Sequence, residues 1–127
     1  MNLLKKTILP VLLATIWISV SEFFRNEFLF KSYWVNHYKS LGLVFPSEPV
    51  NGAVWGIWSL AFAISVFVIA KKFTMLETSI LSWFVGFVLM WLSLGNLGVL
   101  PFKILWFAVP LSLLESFIAT LIVKKFS

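Results

Sequence analysis

The stretch "ILWFAVPLSLLESFIATLIV" (Ile104 to Val123) is an apolar run that contains a single charged side chain, Glu115. A helix rises about 1.5 Å per residue, so about 20 apolar residues cross the roughly 30 Å hydrocarbon core of a bilayer. Inside that core only helices and closed barrels satisfy every backbone hydrogen-bonding group. The run therefore predicts a membrane-spanning helix with a carboxyl group near its middle.

Three further apolar runs of similar length precede this one, at about residues 7–24, 51–70 and 79–97. Hydrophobic residues make up 61% of the 127 residues and charged residues only 12%, which is about half the charged share of soluble domains. We predict an all-α integral membrane protein, a single domain over residues 1–127 with four transmembrane helices at about 7–24, 51–70, 79–97 and 104–123. The first run also resembles a signal peptide, and we expect it to remain as an uncleaved helix.

The net charge of +5 arises mainly from lysine pairs at the ends of the apolar runs. Such residues meet lipid headgroups and orient the helices, so we expect the lipid bilayer as a partner and no nucleic acid. With four spans the pairs fall on one side, which predicts a bacterial-type inner (plasma) membrane with both termini cytoplasmic. The chain has no Cys and one His, and we expect no metal and no cofactor. The pairs are Lys5-Lys6, Lys71-Lys72 and Lys124-Lys125.

The longest connection between apolar runs lies between the first and the second and contains an aromatic, basic stretch at residues 28–43. Its large side chains recur at helical spacing on one face, and Lys31 and Lys39 lie off that face. This pattern is typical of an amphipathic helix in the membrane interface, and we predict an interfacial helix here. The face consists of Phe30, Trp34, Tyr38 and Leu41.

Small and polar side chains within each run share one helix face. Membrane helices use such faces to approach closely and to hydrogen-bond to one another, so these faces predict the interior of a bundle. Their members are Thr15, Ser19, Glu22 and Asn26 in the first run, Gly52, Gly56 and Ser59 in the second, Ser79, Ser82, Gly86, Ser93 and Asn96 in the third, and Ser112, Glu115 and Ala119 in the fourth.

Glu115 is the residue that most needs an explanation, because an ionised carboxylate at mid-membrane costs about 2.5 to 3.5 kcal/mol. It must stay protonated or meet a partner, for which Ser112, Ser93 and Asn96 are the candidates. One interpretation is a protonated side chain that holds two helices together. The other is a ligand or ion site formed by Glu115, Ser112, Asn96 and Ser93.

Glu22, Arg25 and Asn26 form a second group of polar residues, nearer the predicted outer surface. They indicate either an ion-paired rim at the lipid headgroups or the mouth of a site whose floor is Glu115. Four tryptophans fall toward the same side, as an interfacial belt or as an aromatic pocket above Glu115. These are Trp55, Trp58, Trp91 and Trp106.

The string LF-x3-W-x6-LG, formed by Leu29-Phe30, Trp34 and Leu41-Gly42, follows the first apolar run. It resembles the start of a bacterial family of small four-helix membrane proteins of unknown function. The resemblance implies a four-span topology and no particular activity.

Three functions remain open from the sequence, and we assign no catalytic residue. We expect a non-enzymatic membrane protein whose Glu115 site binds or transports a small ligand or ion, as a homo-oligomer because four helices enclose little volume. The first alternative is an accessory subunit that packs against a larger membrane complex. The second is a lipid-modifying enzyme that uses Glu22, Arg25 and His37.

Overall fold

The computed structural model describes residues 3–127, and every regular element in that range is a helix. Four of the helices are long and apolar enough to cross a membrane, which confirms the predicted number of candidate spans. A ten-residue helix occupies part of the stretch for which an interfacial helix is predicted; its position at a membrane interface stays a prediction. The helices are α1 (Leu4–Leu29), α2 (Lys31–Ser40), α3 (Pro49–Ala70), α4 (Met75–Asn96) and α5 (Phe102–Phe126).

α1 and α4 each extend by a turn or more beyond one end of the predicted run. α1 continues to Leu29, and its last turns, Phe24–Leu29, are wound as a wide π-helix. α4 already begins at Met75 because Thr74 caps it. The Thr74 hydroxyl accepts a hydrogen bond from the Glu77 amide at 3.2 Å, and the Glu77 carboxylate accepts one from the Thr74 amide at 3.0 Å. This reciprocal capping box satisfies two amides at the helix start.

The bundle is organised around α5, which packs against each of the other three long helices. Small buried side chains on α5 allow that close approach, among them Ala108, Ser116 and Ala119. The outward faces of the long helices carry exposed Leu, Ile, Val and Phe side chains, as contact with lipid tails requires. The main core consists of Val11, Ala14, Ile18, Phe62, Ala63, Val66, Phe67, Phe87, Ala119 and Val123.

The two ends of the bundle are closed differently. At one end, which we call the cap end, Phe30 and the start of α5 form a second small core with Leu100 and Ile104. There the imidazole Nε2 of His37 lies 2.8 Å from the carbonyl oxygen of Gly98, so α2 is attached to the loop between α4 and α5. The opposite end, the lysine end, holds the three lysine pairs. Lys124 closes it by donating to the carbonyl oxygens of Ala70 and Phe73 at 3.0 and 2.9 Å.

The expected inward placement of Gly52 and Gly56 is wrong, because both residues are exposed. A β-carbon at either position would meet no atom within 4 Å. The buried face of α3 begins only at Ser59, so its small-residue stripe continues toward the cap end without a covering helix from this chain.

We expect Gly86→Ala to destabilise the bundle, because its β-carbon would lie 2.5 Å from Cε1 of the buried Phe62 ring. Overpacking of this kind costs about 1 to 3 kcal/mol. Gly56→Ala is the matched control, since the same methyl group there meets nothing within 4 Å. Thermal unfolding in detergent checks both variants. Equal unfolding midpoints for the two would contradict the close approach of α3 and α4.

Candidate functional site

One buried cluster contains the charged side chains that lie deep in the bundle. It consists of Glu22 and Arg25 on α1 and Glu115 on α5, and we call it the charged cluster. Glu22 and Arg25 are each 6% exposed and Glu115 is 0% exposed. Nη1 of Arg25 donates to Oε1 of Glu115 at 3.1 Å, and Nη2 forms an ion pair with Oε2 of Glu22. One guanidinium thus binds two carboxyl groups from two helices.

The direction of helical side chains explains why these residues meet. Side chains lean toward the N-terminus of their own helix. α1 runs toward the cap end and α5 runs away from it, so Arg25 leans back into the bundle while Glu115 leans toward Arg25. Glu22 lies one turn before Arg25 and shares its face. Arg25 also lies in the π-helical turns of α1, and such turns are frequent at functional sites.

Neutral side chains complete a chain of hydrogen bonds around the cluster. The Ser21 hydroxyl donates to Oε1 of Glu115 at 2.6 Å. The Asn26 amide donates to Oε1 of Glu22 at 3.3 Å and accepts a hydrogen bond from the Trp34 indole at 3.2 Å. Because Trp34 belongs to α2, the chain of polar contacts extends from the cap end to the middle of α5.

Aromatic rings close the side of the cluster that faces α4. The guanidinium carbon of Arg25 lies 5.3 Å from the centre of the Phe87 ring, a cation–π distance. Phe87 packs edge-on against Trp58 and Phe62 and also contacts Trp91, with ring centres 5.5 to 6.0 Å apart. This wall covers the guanidinium on the α4 side and lowers the local dielectric, which strengthens the ion pairs.

One carboxyl oxygen of the cluster is left without a protein partner. Oε2 of Glu115 is fully buried and makes no hydrogen bond within residues 3–127. The carboxyl groups of Glu22 and Glu115 share one guanidinium, each on a different terminal nitrogen of Arg25. If both are ionised the cluster carries one negative charge, whereas protonation of one carboxyl group makes it neutral.

The structure brings the two predicted polar groups together, since Glu22, Arg25 and Asn26 form one network with Glu115. It does not bring the other predicted partners to Glu115. The Ser112 hydroxyl accepts from the Trp83 indole at 2.8 Å, and the Ser93 hydroxyl donates to the Leu89 carbonyl oxygen at 3.1 Å. Ser93 and Asn96 are both exposed, and neither hydrogen-bonds to Glu115 in the part of the chain that the structure describes.

Ser21 is the contact that the sequence analysis missed. It lies next to Glu22 and four residues before Arg25, which places it near the same face of α1. That spacing could have identified it as a partner of the carboxylates. The Trp17 indole, which donates to the backbone carbonyl of Glu115 at 3.0 Å, gives no comparable signal in the sequence.

The predicted aromatic residues do not surround a pocket above Glu115. Trp58 and Trp91 belong to the aromatic wall around Phe87, whereas Trp55, which contacts Trp58 edge-on, and Trp106 are 47% and 83% exposed. A groove of about 420 Å³ between α3 and α4 has Trp58 in its wall, but Glu115 does not line that groove.

The His37 ring contacts the carbonyl oxygen of Gly98 and makes no hydrogen bond to Glu22, Arg25 or Glu115 within residues 3–127. His37 lines a groove at the cap end that neither Glu22 nor Arg25 lines. No group of three His, Cys, Asp or Glu residues that could hold a metal ion occurs within residues 3–127.

Comparisons of the chain with protein-family models, with curated proteins and with solved structures find no match.

We expect Arg25→Met to destabilise the protein by about 3 to 5 kcal/mol, because it leaves buried carboxylates without their counterion. Lys31→Met is the matched control, since it breaks the Lys31–Glu27 pair, whose side chains are 46% and 37% exposed. Exposed pairs contribute about 0 to 1 kcal/mol. Chemical unfolding in detergent measures both. Similar losses for the two variants would show that Arg25 does not compensate buried charge.

Proposed function

We propose that this chain is a small, non-enzymatic, multi-pass membrane protein that binds one proton at the charged cluster. The proton binding serves the transport of an ion or small ligand. The observation that carries the proposal is the pair of buried carboxyl groups, Glu22 and Glu115, on the single guanidinium of Arg25, with Oε2 of Glu115 lacking a partner.

The charge of the cluster supports a proton as the bound ion. With both carboxyl groups ionised, the cluster has one negative charge in excess, and burial of net charge in a low-dielectric interior is costly. One proton makes the cluster neutral. Ca²⁺ needs six to eight oxygen ligands and Mg²⁺ needs six, which this cluster does not offer beside a guanidinium.

A transport role is supported by the location of the cluster. Ionisable residues inside membrane spans are costly and often mark proton relays and ion pathways. The contacts from Glu115 through Arg25, Glu22 and Asn26 to Trp34 form a polar route toward the cap end. Because four helices around a packed core enclose little volume, we propose that transport occurs in a homo-oligomer.

The membrane setting is part of the same proposal. We place the protein in a bacterial-type inner membrane with the lysine end and both termini in the cytoplasm, following the positive-inside rule. In that orientation α2 lies in the outer interface, where exposed Tyr33 and Val35 would contact lipid.

We expect Glu115→Gln to abolish proton binding, because the amide side chain neither takes up nor releases a proton at the pH values of the assay. In proteoliposomes loaded with a pH-sensitive dye, wild type should acidify the lumen under an imposed proton gradient, and Glu115→Gln should not. Infrared difference spectroscopy should show a carboxylic-acid band that titrates in wild type and disappears in the variant.

Glu27→Gln is the matched control, since that carboxylate pairs with Lys31 on the surface and should leave both signals unchanged. Absence of a titrating carboxyl band in wild type would overturn the proton site. A titrating band without proton flux would keep the site but overturn the transport role.

A second candidate function, an accessory subunit of a larger membrane complex, is favoured by the uncovered stripe of α3. Gly52 and Gly56 lie four residues apart and are both exposed, and such pairs let a neighbouring helix approach closely. No helix within residues 3–127 covers this face, and it is available to a helix of another protein.

For this second candidate we expect Gly56→Leu to reduce co-purification of a partner from native membranes by about tenfold, since the added side chain would keep the helices apart. Ile57→Leu, on a neighbouring exposed face of α3, is the control. Recovery of only the protein itself by the wild-type bait would count against the accessory role and in favour of self-association.

A further inference from the structure

A second site is formed at the cap end by a groove of about 480 Å³ between α2 and the first turn of α5. The α2 side contributes Ser32, Tyr33 and Asn36, and the α5 side contributes Phe102 and Lys103. The attachment of α2 to the α4–α5 loop, through His37 and Gly98, holds the two walls together. The groove is separate from the charged cluster, none of whose residues line it.

The polar groups of the groove suit an anion. Lys103 supplies a positive charge, and the hydroxyl groups of Ser32 and Tyr33 and the amide of Asn36 supply neutral donors. No carboxylate lines the groove, and Lys103 has no salt-bridge partner within residues 3–127.

The remaining acidic residues near the cap end are already engaged, which leaves the charge of Lys103 uncompensated. Glu27 is ion-paired with Lys31 at 2.9 Å. Glu48 lies at the start of α3, where it forms a capping box with Asn51, and it makes no salt bridge with Lys103 within residues 3–127. An anion from outside the chain would therefore complete the groove, and a phosphate group, with several acceptor oxygens, matches a lysine and three donors.

Apolar side chains beside the groove indicate where the phosphate comes from. Phe102 lines the groove and is 62% exposed, and Trp106, one turn further along α5, is 83% exposed. Both lie at the start of a candidate membrane span, where aromatic rings contact lipid just below the headgroups. A molecule that fits both the polar groove and the apolar rings beside it has a phosphate headgroup and acyl chains.

We propose that this groove binds the phosphate group of a membrane phospholipid, with its acyl chains lying along Phe102 and Trp106. The site does not depend on proton binding by the charged cluster, so either proposal can fail while the other holds. It assigns to α2 a role in holding a lipid at a fixed place on the bundle.

Native mass spectrometry of the detergent-purified full chain, titrated with phosphatidylglycerol, tests the proposal. We expect one tightly bound lipid, with affinity reduced about tenfold in Lys103→Gln because a hydrogen bond to a charged group is lost. Lys39→Gln is the matched control, since Lys39 is an exposed lysine of α2 that does not line the groove. Asn36→Leu should weaken binding as well, while Lys39→Gln should not.

The outcomes distinguish binding of the lipid in this groove from nonspecific attraction between lysines and anionic lipid. Equal loss in Lys103→Gln and Lys39→Gln, or no tightly bound lipid in wild type, would overturn the proposal. A second titration adds glycerol phosphate at millimolar concentration to the lipid complex. Retention of the lipid supports a phospholipid as the ligand. Its displacement by glycerol phosphate would overturn that assignment and identify a water-soluble phosphate as the ligand.

Discussion

The guanidinium of Arg25, held between the carboxyl groups of Glu22 and Glu115, is the interaction on which the interior of this protein depends. It places a charged network inside a bundle whose remaining core is apolar or weakly polar. Because each charge would be costly alone in a low-dielectric interior, α1 and α5 are restricted to the one register in which the three groups meet. The aromatic wall around Phe87 then fixes the position of α4 against the guanidinium.

The same network connects structure to function. A purely structural ion pair needs one carboxylate for one guanidinium, and this cluster has two, with a buried oxygen that lacks a partner. The excess carboxyl group makes the charge of the cluster adjustable by one proton. Glu22 is hydrogen-bonded through Asn26 to Trp34 of α2. A change in the protonation state of the cluster would therefore alter the contacts of α2, which is not one of the four long helices.

Sequence pattern predicted the number of long helices and the inward placement of Glu115, because both follow from hydropathy and spacing along the chain. It did not predict the partners of Glu115. Spacing within one helix is visible in a sequence, so Glu22, Arg25 and Asn26 were grouped correctly with one another. The rotation of one helix against another depends on packing and is not visible in a sequence. In this bundle α4 places Phe87 against Arg25 of the cluster, and Ser93, a predicted partner of Glu115, is exposed. The stripe of Gly52 and Gly56 illustrates the same limit, since its periodicity does not tell which part of the stripe is covered.

The distribution of the three charges along the chain has a consequence for how the protein is made. Glu22 and Arg25 are three residues apart on α1 and pair with each other, so this segment can compensate its own charges when it inserts. Glu115 arrives about 90 residues later on α5 and has no counterion of its own. α5 is therefore less favourable to insert alone than α1, and it gains most from docking onto the helices that precede it. Docking of α5 completes the site, so that a chain whose α5 is not inserted lacks the second carboxyl group.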